Sequence, residues 1–168
     1  MTLANKYPKE VKAILAKYPP EHKRSAVMPL LYLAQREEGY LTKAAMQDVA
    51  KIVEITETDV VAIVGFYTLY HEEKGGKYRM QVCTDLPCAL RGADEFINSL
   101  CANLGIKVGE TTEDGSLTLE AVMCLAACDK APMFQIQSPD GIKYHENMTV
   151  DRTMELISIL KRSVREVK

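Results

Sequence analysis

The sequence predicts an α+β chain: an N-terminal helical bundle over residues 1–74, then a second domain over residues 77–168 that mixes strands and helices. Three observations predict it. Up to Lys74 the apolar residues recur at helical spacing and at no other. The pair Gly75-Gly76 then interrupts the pattern and reads as a plain connector. After it, period-two runs alternate with helical stripes, in the order β-α-β, β-β, α.

The first domain has four helical segments. Tyr7, Val11, Ile14, Leu15 and Tyr18 form one stripe, closed by Pro19-Pro20. Val27, Leu30, Leu31 and Ala34 form a second, ending at Gly39. Pro29 lies inside it, so it either kinks this helix or marks its true start. Thr42 is placed to cap a third helix carrying Ala45, Val49, Ile52 and Val53. Thr56 opens T-x-x-D, a variant capping box, for a fourth helix through Val60 and Val64 toward Phe66-Tyr67-Thr68-Leu69-Tyr70.

In the second domain, Tyr78 to Cys83 reads as a strand. Leu90, Ala93, Ile97, Leu100, Cys101 and Leu104 make a helical stripe that stops at Gly105. Ser116 to Met123 is a second strand, with Leu117, Leu119, Ala121 and Met123 alternating. A βαβ unit of this kind pairs its strands in parallel. Met133 to Gln137 follows Pro132 as a third strand. Pro139-Asp140-Gly141 turns it into a fourth, Ile142 to Glu146. A last helix starts near Thr149, with Val150, Met154, Ile157, Leu160 and Val164 on one face. This element order is that of a thioredoxin-like fold.

The chemistry lies in the cysteines. Four of the five fall in two pairs, Cys83 with Cys88 and Cys124 with Cys128, spaced C-x4-C and C-x3-C. Cys83 ends the first strand and Cys88 starts the helix after it. Cys124 ends the second strand and Cys128 lies in the following loop. Parallel neighbours deliver all four thiols beyond one carboxyl edge, where open α/β sheets place ligand sites. Four thiolates hold a tetrahedral zinc or an iron–sulfur cluster. Loops wider than the usual C-x2-C knuckle suit a binuclear [2Fe-2S] cluster, each pair capping one iron. Zinc and free thiols stay open on spacing alone. Disulfides would need an oxidising compartment, and the N-terminus lacks the apolar run of a signal peptide.

Composition narrows the partners. The formal net charge is -2, from 21 basic and 23 acidic residues, with no basic run of the kind that binds nucleic acid. No apolar stretch is long enough to span a membrane. No G-x-G-x-x-G or P-loop is present, so neither NADH nor FMN is expected to bind this chain alone.

Two segments carry a family resemblance: Cys83-Thr84-Asp85-Leu86-Pro87-Cys88-Ala89-Leu90-Arg91-Gly92 and Cys124-Leu125-Ala126-Ala127-Cys128-Asp129-Lys130-Ala131-Pro132. They closely resemble the thioredoxin-like [2Fe-2S] subunit of respiratory complex I, the 24-kilodalton family of NADH-quinone oxidoreductase. The likeness extends through Lys17-Tyr18-Pro19-Pro20, Met28-Pro29-Leu30-Leu31, Glu38-Gly39 and Phe66-Tyr67-Thr68. One departure stands out. The family commonly has Leu-Gly-Ala-Cys where this chain has Leu125-Ala126-Ala127-Cys128. Alanine accepts positive φ poorly, so the second cysteine loop is expected to differ slightly.

The resemblance implies Cys83, Cys88, Cys124 and Cys128 as ligands of a [2Fe-2S] cluster. It implies an FMN- and NADH-binding flavoprotein subunit as neighbour, within the peripheral arm of complex I. The location it implies is cytoplasmic, peripheral to the inner face of the cell membrane. Similar subunits serve NAD-linked hydrogenases and formate dehydrogenases, and a free-standing thioredoxin-like ferredoxin is the other reading. The helical domain favours the complex, because a simple carrier does not need it.

Two ferric ions, two sulfides and four thiolates sum to a dianion, and one added electron makes a trianion. Such a site has a low potential, roughly -400 mV for plant-type clusters, unless nearby donors compensate. The helix start at Cys88, the amides of Ala126 to Lys130, Arg91 and Lys130 are the candidates. Cys101, on the apolar stripe, reads as a buried structural thiol. His22, His71 and His145 have no ligand spacing and read as solvated or hydrogen-bonded side chains. Phe66, Tyr67 and Tyr70 serve either internal packing or a partner contact. Pro132 stands where thioredoxin-like folds often hold a cis proline, with both isomers open.

Overall fold

The computed structural model describes residues 2–165. The chain divides into two compact units, Met1–Lys74 and Gly75–Lys168.

The first unit is all helical: α1 (Leu3–Lys6), α2 (Pro8–Leu15), a 3-10 segment (Pro20–Ala26), α3 (Val27–Glu38), α4 (Lys43–Val53) and α5 (Glu57–Phe66). The 3-10 segment has no apolar period and was not legible as an element. Pro29 is the third residue of α3, in the first turn, where its missing N–H has no helical partner to lose. Thr42 caps α4 through the Ala45 N–H at 3.2 Å. Thr56 and Asp59 form the full reciprocal box at α5, with both backbone donors satisfied. Leu30, Leu31, Val49, Val60 and Val64 centre the core.

The chain after α5 turns back onto that core. Tyr70 is buried, donates its hydroxyl to the Met28 carbonyl at 3.0 Å, and meets the Tyr32 ring in a tilted contact with centroids 5.1 Å apart. Buried Gln35 donates its amide to the Leu69 carbonyl and accepts the His71 N–H, both at 2.8 Å. Tyr70 and His71 therefore hold the bundle together. Phe66 is 77% exposed.

The second unit holds β1 (Tyr78–Cys83), α6 (Leu86–Ala89), α7 (Ala93–Leu104), β2 (Leu117–Val122), β3 (Phe134–Ser138), β4 (Gly141–His145) and α8 (Val150–Arg165). The sheet order is β2-β1-β3-β4. β1 and β2 are parallel, with Cys83 opposite Val122; β3 is antiparallel to β1 and to β4. Met80, Val82, Leu117, Leu119 and Phe134 pack against Phe96, Ile97 and Leu100 of α7 and Ile157 of α8. The side chain of Val164, assigned to the same stripe by periodicity, lies outside those described.

All six residues of β1 are buried, including its polar ones. Arg79 pairs with Glu120 at 2.6 Å, Gln81 donates to Glu120 at 2.8 Å, and Gln135 donates to Gln81 at 2.6 Å. This ladder satisfies the polar side of a strand covered on both faces.

Several sequence expectations change. Leu90 is 80% exposed, not part of the buried stripe, because Gly92 in the left-handed region separates α6 from α7 and resets the helical phase. Met123 is 76% exposed, since β2 ends one residue before it. Cys101 is half-buried against the core rather than fully enclosed.

Gly76 is more than a connector. It donates its N–H to Thr118 Oγ1 at 2.7 Å, and an added Cβ would lie 2.7–2.9 Å from the Leu117 backbone. Gly76→Ala is expected to push β2 away from β1 and cost about 1–3 kcal/mol. Gly65→Ala, in α5 with open space around it, is expected to be neutral or stabilising by about 0.5–1 kcal/mol. Paired urea titrations check this; equal midpoints for both variants would contradict it.

Candidate metal centre

Each cysteine reaches the same sheet edge by a different local device. Cys83 is the last residue of β1, 1% exposed, with its N–H on the Met133 carbonyl at 3.2 Å. Thr84 continues the pairing onto the Val122 carbonyl at 3.0 Å. Asp85 then starts the single turn α6 in extended backbone, and its carbonyl accepts the N–H groups of Cys88 and Ala89. Pro87 suits this first turn, because its missing N–H is not needed there. The turn brings fully buried Cys88 back over Cys83, with the two sulfurs 3.2 Å apart.

The second pair is built in looser backbone. Cys124 lies two residues past β2 and is exposed; Cys128 starts a 3-10 turn, Cys128–Lys130, and is half-buried. Their sulfurs are 3.4 Å apart. A cis peptide joins Ala131 to Pro132, just before β3.

Packing brings the two loops together. Cys83 and Cys88 form a small buried group with Ala93, Ala131 and Met133, and Leu125 and Ala127 of the second loop pack against it. Arg91 adds a polar tie, donating Nε to the Ala131 carbonyl at 3.2 Å.

The thiols feel one another. Burial, first of all, pushes the Cys88 thiol up to about 12, followed by its bond to Cys83 and the charges of Cys83, Cys128 and Cys124. The Cys128 thiol is also raised, chiefly by its bond to Cys124 and then by burial. Four thiolates this close repel one another unless a cation neutralises them. Loading such a site releases protons.

The arrangement is two pairs. Among the described residues, no three His, Cys, Asp or Glu side chains surround a single metal-ion position. A tetrahedral metal with thiolate bonds of ~2.3 Å has a sulfur–sulfur edge of about 3.8 Å. Both pairs lie slightly inside that edge, so each fits as the protein half of one iron's coordination. A [2Fe-2S] cluster would be held by the two pairs, one pair to each iron, whereas one zinc would need all four thiols around a single point. Donor type and arrangement fit [2Fe-2S].

The compensating charges sort themselves by position. α6 has only four residues, so a helix dipole at Cys88 is short. Lys130 sits 3.4 Å from Asp129, which offsets it. Arg91 is tied to the second loop, and the Ala126 N–H points at Cys124 Sγ from 3.4 Å. Ala126 itself sits at φ +59°. The alanine at the family's glycine position has not removed positive φ from the loop. The histidines take other roles: His145 stacks at 5.1 Å on Phe134, and burial, then Lys143, lowers its pKa.

Among curated proteins, the chain is 41% identical to NADH dehydrogenase (ubiquinone) flavoprotein 2, mitochondrial, of Dictyostelium discoideum, across 92% of this chain and 61% of that protein. It is 38% identical to an NADH-quinone oxidoreductase subunit of Rhizobium meliloti, across 93% of this chain and 89% of that one. Identity to NADH-quinone oxidoreductase subunit 2 of Thermus thermophilus is 39%, across 89% and 81%. The fold is similar to part of an NAD+-reducing [NiFe]-hydrogenase, with TM-score 0.68 and 19% identity, covering 81% of this chain and 22% of that one. The model of the thioredoxin-like [2Fe-2S] ferredoxin family matches residues 11–161. With that match spanning both units and both cysteine pairs, the chain belongs to the thioredoxin-like [2Fe-2S] ferredoxin family.

Proposed function

We propose that this chain is the electron-transfer subunit of an NADH:quinone oxidoreductase. In this reading Cys83, Cys88, Cys124 and Cys128 hold its [2Fe-2S] cluster, and an FMN- and NADH-binding flavoprotein subunit is its neighbour in the peripheral arm. The observation that supports the reading is the packing of Leu125 and Ala127 against the Cys83–Cys88 group, which brings the loops of the two thiol pairs together. When bound, the cluster supplies a one-electron acceptor and donor.

The chain's residues set the conditions for that chemistry. Buried Cys83 and Cys88 keep water from one side of the site, while exposed Cys124 gives the electron a short way in. The Ala126 N–H, 3.4 Å from Cys124 Sγ, is placed to offset the charge gained on reduction. Leu86, Leu90 and Met123, beside the cysteines in sequence, are 69%, 80% and 76% exposed. They offer apolar contact to a partner at the cluster edge. Phe66 and Tyr67, exposed in the helical unit, are further contact candidates.

Among the described residues no helix is long and apolar enough to cross a membrane. Attachment at the inner face of the cell membrane would therefore run through the complex, with the chain on the cytoplasmic side.

The test is composition. Anaerobically purified protein is expected to carry about two irons and two acid-labile sulfides per chain, with visible absorption that bleaches on reduction. Stoichiometric zinc without sulfide would reject the cluster.

A further inference from the structure

We propose that Arg91 is a positioning residue for the metal centre: the bond from its Nε to the Ala131 carbonyl clasps the second cysteine loop to the first and slows loss of the cluster. The inference rests on the reading that the four cysteines hold a [2Fe-2S] cluster.

The two loops are held unequally. Cys83 and Cys88 are buried, one at the end of β1 and the other in the turn α6. Cys124 is exposed, and Cys128 starts a three-residue 3-10 turn in the stretch between β2 and β3. Once the first pair is engaged, the second binds within the same molecule. Its effective concentration then depends on how closely the looser loop is kept in place.

That loop is fastened just past its last cysteine, where successive carbonyls are taken by separate donors. Lys130 accepts the Asn147 N–H and Pro132 accepts the Met148 N–H, both at 2.8 Å. Met133 accepts the Cys83 N–H at 3.2 Å. These donors are backbone. Ala131, in the same row, accepts the side-chain Nε of Arg91 at 3.2 Å.

The place of Arg91 in the chain makes it a clasp between the pairs. It follows Cys88 by three residues, and its own N–H is on the Cys88 carbonyl at 3.0 Å. Ala131 follows Cys128 by three residues. One side chain therefore joins the backbone behind one pair to the backbone behind the other. Ala131 is 3% exposed, whereas Arg91 is exposed. Removing the donor leaves the carbonyl of a buried residue without its partner, which costs more than the bond itself contributes. The carbonyl regains a partner when the loop moves toward water.

The experiment follows release of the cluster to excess iron chelator, by loss of visible absorption, in the loaded full-length chain and two variants. Gln carries its side-chain N–H at the same place along the stem as Arg Nε, without the charge. Met has a stem of similar length and no donor. Arg91→Met should release about tenfold faster, the scale of one hydrogen bond from a charged group. Arg91→Gln keeps a neutral bond and should stay within about threefold of the parent. A role through charge alone would move both neutral variants alike. Parental release in Arg91→Met, or release in Arg91→Gln as fast as in Arg91→Met, overturns the proposal.

If Arg91→Met does not load, hydrogen exchange of the unloaded full-length chains decides. The Lys130 N–H, bonded to the Ala127 carbonyl at 3.0 Å, should exchange about tenfold faster in Arg91→Met than in the parent and in Arg91→Gln. Equal exchange in all three overturns the proposal. Absence of iron and sulfide from the parent itself would instead reject the underlying cluster reading, and this inference with it.

Discussion

Replacing any one of Cys83, Cys88, Cys124 or Cys128 by Ala is expected to reduce iron and sulfide from about two each per chain to near zero. In the proposed site each pair would serve as the protein half of one iron's coordination, so a single loss would leave that iron with three sulfur ligands. No other Cys is positioned to replace it: Cys101 packs against the core of the sheet domain and is not part of either pair. Cys83→Ala and Cys88→Ala also remove atoms from a closed apolar group, so they should lower stability of the unloaded chain as well. Cys124→Ala changes an exposed position and should abolish loading with little effect on the unloaded fold. Cys101→Ala should keep the full cluster and cost about 1 kcal/mol, because that thiol is only half-buried. Iron and sulfide analysis, with circular dichroism as the control for folding, separates these outcomes. Loss of the cluster in Cys101→Ala together with its retention in Cys128→Ala would reject the ligand assignment.

The second large effect concerns the division of labour with a flavoprotein. The isolated chain is expected neither to bind NADH nor to pass electrons from it, since the sequence has no dinucleotide or phosphate-binding loop. Co-expressed with the proposed flavoprotein subunit, it should form a stable complex in which NADH reduces the cluster, within the limit set by the two potentials. Turnover would then rise from background to the ordinary enzyme scale of ~1–10³ per second. The apolar positions Leu86, Leu90 and Met123 are exposed on this chain and should become protected in the complex. Stopped-flow reduction by NADH and hydrogen exchange, each with and without the flavoprotein, check both halves. NADH oxidation by the flavin-free chain would overturn the proposal, as would failure to co-purify with any flavoprotein.

Much of the fold was legible because its signals are local. Thr42 and Thr56 declare helix starts within three residues of themselves, and the structure has both caps. Pro139-Asp140-Gly141 marks the β3–β4 hairpin by the backbone freedom those residues allow. The four cysteines stood out for the same reason: each pair is short enough in sequence to recognise without knowing the fold. A βαβ order then places both pairs at one edge, and the parallel register of β1 with β2 sets Cys83 against Val122.

What only the tertiary structure decided depends on partners distant in sequence. Gln35 clamps Leu69 and His71, thirty-four and thirty-six residues away. Gln81 looks like a solvent-facing strand residue until Glu120 and Gln135 are seen to complete a buried ladder. Gly76 reads as a connector until the Leu117 backbone is found where its Cβ would be. Leu90 and Met123 follow apolar periods, yet both emerge into solvent because a glycine turn and a strand end interrupt those periods. Ala126 is the sharpest case. By itself the sequence determined which thiols belong together and that an alanine stood in an unfavourable place; local propensity argues against its turn. The contacts of Leu125 and Ala127 with a group formed more than thirty residues earlier outweigh that propensity, because packing acts through space while propensity acts only along the chain.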